Sequence, residues 1–239
     1  VNSLISHPRL VLAAFIGTLV CGNAHAQILN GNFNSGLTSW TSVGDAGIVS
    51  GAARVTTASS EFEDDFPATA GAFNISGTSA ALGGGALEFA VGLSATGLDL
   101  SVSNTAFEGS AITQTFNVTA GDTLSFNYNF LTNEGTFLDY AFYTVNGTKF
   151  NLAQVANATS ASSSFAFETG LLTASHVFTT TGAVTLSFGV VDIGDFGVTS
   201  ALDLDNVTVV TAIPEPSTYA ALLAVGIFAV VVVRRRRAV

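Results

Sequence analysis

The 239-residue chain has one cysteine, one tryptophan, four prolines and no methionine, and only 10% of its residues are charged. Cys21 lies in the export segment described below, so the exported part has no cysteine. That excludes a disulfide, a thiol nucleophile and a cysteine-ligated metal from the folded body. Without methionine, Val1 reads as the literal translation of an alternative start codon. Positive charge is scarce and unevenly placed. Arg9 stands near the start and Arg234, Arg235, Arg236 and Arg237 at the end, which leaves Arg54 and Lys149 for everything between. Against them stand 16 acids in residues 27–212, a charge of about −14. Such a body repels nucleic-acid phosphates, so no nucleic acid is expected as a partner. It suits a soluble extracellular protein, or one that binds divalent cations.

Catalytic groups are thin as well. His176 is the one histidine after residue 26, so it is the sole base a Ser-His-Asp arrangement could use. No Gly-x-Ser-x-Gly elbow accompanies it. One histidine without cysteine cannot build an ordinary zinc site. No glycine-rich phosphate loop is present. Glycoside hydrolysis needs only two carboxylates, and the body has 16 acids to draw on.

The two ends are distinctive. His7 and Arg9 precede an apolar run over residues 10–20, then Ala24-His25-Ala26 before Gln27. A basic start, an apolar core and a small-x-small site predict a secretory signal peptide over residues 1–26, cut after Ala26 by signal peptidase. At the other end come Pro214-Glu215-Pro216, an apolar stretch over residues 217–233, and the four arginines. The stretch has 17 residues, about 25 Å as a helix, at the short limit for a bilayer core of about 30 Å. The arginines orient such a helix with its C-terminus in the cytoplasm. Each proline biases the residue before it towards extended geometry, so the segment just outside the membrane is open to a protease.

Between the ends the pattern is β. Leu124, Phe126, Tyr128 and Phe130 alternate with Thr123, Ser125, Asn127 and Asn129. Val184, Leu186, Phe188 and Val190 do the same, and Ile112, Phe116 and Val118 form a weaker example. Asn146-Gly147 between two apolar runs predicts a hairpin. No helical period is evident in residues 27–212. About ten strands are expected, and the predicted fold class is all-β: a two-sheet antiparallel sandwich of the jelly-roll type, with one C-terminal transmembrane helix. The acidic run over residues 61–65 reads as a solvated loop, with a divalent-cation site as the weaker alternative.

The tail over residues 213–239 resembles the PEP-CTERM sorting signal processed by exosortases. The resemblance implies a Gram-negative bacterium that makes extracellular polysaccharide. It also implies a transient inner-membrane anchor, an exosortase-type sorting protease as partner, and delivery to the cell surface or matrix. In the body (residues 27–212), Asn30-Gly31-Asn32-Phe33-Asn34 with Trp40, and Leu202-Asp203-Leu204-Asp205-Asn206-Val207, resemble the opening and closing motifs of galactose-binding-like jelly rolls. Many of those are carbohydrate-binding modules. The resemblance implies a structural Ca²⁺ joining the first and last strands, held here by Asn34 and Asp205. Asn34 stands where that family usually has glutamate, which removes one charged ligand. Sugar platforms stack aromatic rings on pyranoses, and Trp40, Tyr128, Tyr140 and Tyr143 are the body's Trp and Tyr rings. The leading functional expectation is a non-catalytic surface or matrix protein. The alternatives are a module binding extracellular polysaccharide and a glycoside-active enzyme.

Overall fold

The computed structural model describes residues 27–59, 68–69, 71–211 and 216–237. Ala24, Ala26, the acidic run 61–65, Pro214 and Glu215 lie outside the described residues, and the cleavage-site residue Gln27 is exposed.

Strict alternation buries one side of a strand, and two such strands bury each other's apolar faces. The structure does this with two antiparallel sheets, consistent with a sandwich. The first runs β1 (Thr41–Val43), β5 (Ala106–Val118), β12 (Gly182–Ile193), β7 (Tyr140–Val145) and β8 (Thr148–Gln154), with β4 (Leu82–Gly83) also on β5. The second runs β2 (Ala46–Val49), β3 (Ala52–Thr56), β13 (Ser200–Val210), β6 (Thr123–Thr132), β10 (Phe167–Glu168) and β9 (Ser160–Ala161), with β11 (Leu172–Val177) on β6. The sheets meet through their rings: Phe126 of β6 and Phe188 of β12 have centroids 4.7 Å apart, edge to face. Leu124, Phe130, Leu186, Val190, Leu202 and Leu204 complete this core.

The structure differs from the sequence expectation in three ways. Thirteen strands are present among the described residues rather than about ten, because β4, β9 and β10 are only two residues long. A helix, α1 (Gly84–Ala90), occurs where none was expected. Seven residues are too few to show a period, and two glycines open it. It earns its place through tertiary contacts. Leu87 packs with Val91, Leu98, Tyr140, Phe142, Val191 and Ile193 in a second core on the outer face of the first sheet. Glu88 accepts from the Thr96 and Leu98 amides, each at 2.9 Å, and so fixes the loop that follows. The third difference is in the tail. The helix α2 (Pro216–Arg237) is present, yet among the described residues no helix is long and apolar enough to cross a membrane.

The Asn146-Gly147 turn joins β7 to β8, both residues having positive φ (48° and 73°) as a tight hairpin requires.

Candidate functional site

The opening and closing motifs meet. Asn30, with φ 51°, organises its loop: its amide nitrogen donates to the carbonyls of Gly36 (2.8 Å) and Thr38 (3.0 Å), and its Oδ1 accepts from Ser35 N (3.1 Å). The Trp40 indole donates to Asn30 O at 3.2 Å, and its ring lies 5.5 Å from Phe33. Val207 N donates to Gly31 O at 2.8 Å, which ties the start of the body to its last strand. The register of β13 on β6 shifts between Asp205 and Thr208, with Asn206 at φ 54°. This bulge is what lets Val207 turn to Gly31 while Leu204 and Val207 both stay in the core.

The two residues expected as calcium ligands are not brought into a shared site by any hydrogen bond of this junction. Asn34 is exposed and its backbone N–H donates to Asn32 Oδ1 at 3.3 Å. Asp205 turns its two oxygens to its neighbour, accepting from Asn206 N at 2.7 Å and Asn206 Nδ2 at 3.2 Å. Among the described residues, no group of three or more His, Cys, Asp or Glu is placed to hold a metal ion. Asp203 of the same motif instead pairs with Arg54 on β3 through two hydrogen bonds of 2.6 and 2.7 Å.

The four rings expected to form a sugar platform are core residues. Trp40, Tyr128, Tyr140 and Tyr143 are 7%, 8%, 1% and 7% exposed. The Tyr128 hydroxyl donates to Leu152 O at 3.3 Å, and the Tyr140 hydroxyl to Leu98 O. Tyr143 stacks on Phe150 at 4.8 Å and 14°, and its hydroxyl lies 3.4 Å from His176 Nδ1. Burial raises the pKa of all three tyrosines. With their faces covered, these rings cannot stack on a pyranose in this conformation. Among the described residues, the exposed Phe, Tyr and Trp rings are phenylalanines, among them Phe107 and Phe196, 6.1 Å apart and tilted.

His176 sits edge-on to Tyr143, Phe150 and Phe178, and burial lowers its pKa. Lys149 lies over the Tyr140 ring and donates to its hydroxyl at 2.9 Å; its pKa is lowered by burial, against the pull of Asp99 and Glu88.

One cluster, at the end of the two sheets, has no counterpart in the sequence pattern. Asp139 and Asp192 are 0% and 2% exposed and their carboxyls are in hydrogen-bonding contact. Asp139 Oδ1 accepts from Ile193 N at 3.1 Å and Oδ2 from Ser200 Oγ at 2.6 Å. Asp192 Oδ1 is buried without a partner. Buried Glu134 closes the loop beside them, its Oε1 accepting from the amides of Gly135, Thr136 and Phe137. Desolvation raises the pKa of both aspartates, and each feels further acids: Glu134 acts on Asp139, and Asp139, Asp195 and Glu108 act on Asp192.

At the C-terminus, α2 carries Pro216 at its start and exposed Arg234, Arg235 and Arg236 near its end. A family model for the PEP-CTERM protein-sorting motif matches residues 212–237. The chain carries a PEP-CTERM sorting motif. The motif spans Pro214, Glu215 and Pro216, α2 and the arginine block, so it covers the tail as far as Arg237 and none of the sheets. No curated protein matches the chain. Solved structures similar to it include carbohydrate-binding modules. A CBM4 structure has a TM-score of 0.36 at 12% identity, over 75% of this chain and 99% of that one. TmCBM61 in complex with β-1,4-galactotriose has a TM-score of 0.36 at 11% identity, over 79% and 100%. A family 16 carbohydrate-binding module has a TM-score of 0.30 at 14% identity, over 77% and 98%.

Proposed function

We propose that the chain is a non-catalytic protein of the cell surface or extracellular matrix, exported and then sorted through its PEP-CTERM tail by an exosortase-type membrane protease. The observation that carries this reading is the motif match over residues 212–237. The physics of the tail agrees with a temporary hold. The arginine block resists crossing the membrane and keeps the C-terminus in the cytoplasm. An apolar part of 17 residues, about 25 Å, only marginally spans a core of about 30 Å.

The body offers support for the non-catalytic part. His176 is boxed by rings rather than set beside a carboxylate and a nucleophile. The most prominent carboxyl pair, Asp139 and Asp192, is in direct contact and buried. Glycoside hydrolysis needs two carboxyls about 5 Å or more apart across an open cleft.

Replacing Pro214 and Pro216 together by alanine is expected to leave the protein in the inner membrane with its tail uncut. Fractionation of the producing cells, followed by intact-mass measurement, reads this out. Surface delivery and mass equal to those of the wild type would contradict the proposal.

A further inference from the structure

Two carboxyls in contact, both buried, cannot both be ionised without a positive charge to hold them. The body's two basic side chains are engaged elsewhere, Arg54 on Asp203 and Lys149 on the Tyr140 hydroxyl. Among the described residues, the charged groups facing the pair are acids: Glu134 from the loop after β6, Asp195 from the loop after β12, and Glu108 from β5. From β13, Ser200 contributes only a hydroxyl.

The hydrogen bonds say which carboxyl is neutral. Both oxygens of Asp139 accept from donors, Ile193 N and Ser200 Oγ, as an anion wants. Asp192 lies against Asp139, and its Oδ1 is buried with no donor. An anionic oxygen left that way is far costlier than the carbonyl oxygen of a neutral acid. The proton therefore belongs on Asp192, donated to Asp139.

We propose that Asp139 and Asp192 share one proton, and that this proton latches the acidic end of the sandwich, which loosens as pH rises. Three segments converge on the pair. Asp139 ends the loop after β6 and accepts through its carbonyl from Val155 N at 3.1 Å. Its side chain holds Ile193 at the end of β12 and Ser200 at the start of β13. Asn133 N to Thr199 O, at 3.1 Å, closes the same end. Loss of the proton sets two anions against each other at this junction and pushes the loops apart. The sign follows from linkage. The unfolded chain releases this proton near the ordinary carboxyl range, about pH 4, whereas the folded pair keeps it well above that. Stability is therefore greatest on the acid side of this window and falls as pH rises through it.

The test compares the full chain with Asp192→Asn, whose amide still donates to Asp139 but carries no titrating proton. Between pH 5 and 9 the wild-type Tm should fall by about 5 °C or more beyond any fall in the variant. Infrared spectra of the wild type at neutral pH should show a protonated-carboxyl band that the variant lacks. If the variant does not fold, the wild-type spectrum decides alone. Parallel Tm curves, or no such band, would overturn the proposal. So would a rise in wild-type Tm on adding millimolar Ca²⁺ at pH 9 that the variant does not share, since a cation rather than a proton would then hold the pair.

Discussion

Replacing Phe188 by alanine is expected to destabilise the body by about 3–5 kcal/mol, the usual cost of emptying a buried phenylalanine site. For a domain of this size the Tm should fall by roughly 10 °C. Phe188 is fully buried and stands where the two sheets touch. Its ring meets Phe126 at 4.7 Å, Trp40 at 6.1 Å and Tyr143 at 6.3 Å. Three strands and the opening loop therefore lose contacts at once, and rings that large cannot collapse into the gap. Phe167→Ala is the control, because that ring lies 45% exposed on the short strand β10. Its cost should stay within about 0.5 kcal/mol. Thermal melts of the two variants check both values; a Phe188 variant as stable as the Phe167 one would show that the sheets are not joined through this cluster.

Gly31→Ala should cost about 2–3 kcal/mol although it only adds a methyl group to a loop. A Cβ at that position would overlap the Val207 carbonyl oxygen. Backbone has to give way, and with it the 2.8 Å bond from Val207 N to Gly31 O. The Asn30 carbonyl next to it holds the Trp40 indole, so the strain reaches the core. Gly36→Ala has open space at its Cβ but a positive φ of 65°, so its expected cost is smaller, about 1 kcal/mol. Denaturant midpoints for the pair should separate in that order. Equal midpoints would mean that the opening loop is not anchored on the last strand.

Much of the body was legible in the sequence where one face of a strand is buried and the other is not. The alternation from Thr123 to Phe130 became β6, the run around Phe188 became β12, and Asn146-Gly147 became the β7–β8 turn. Alternation tells which residues share a face, but not what covers that face. Trp40, Tyr128, Tyr140 and Tyr143 were therefore readable as exposed rings until the structure buried them. Tyr140 shows why. It projects from the outer face of the first sheet, and only α1 and the loop behind it, invisible to periodicity, make that face a second core. The same cover explains Asp192. At its end β12 is buried on both sides, so an aspartate between Val191 and Ile193 enters the interior without breaking the apolar pattern around it. Its partner Asp139 lies 53 positions away in sequence, and nothing local couples them. The sorting motif was legible, because its signal is carried by residue order alone and needs no tertiary partner.

The most direct test of the sorting account is the intact mass of the wild-type protein recovered from the cell surface or medium of the producing bacterium. The account predicts a chain that has lost α2 and Arg234, Arg235, Arg236 and Arg237, with its new C-terminus at or near the Pro214-Glu215-Pro216 segment. Surface protein that still carries all four arginines would contradict it.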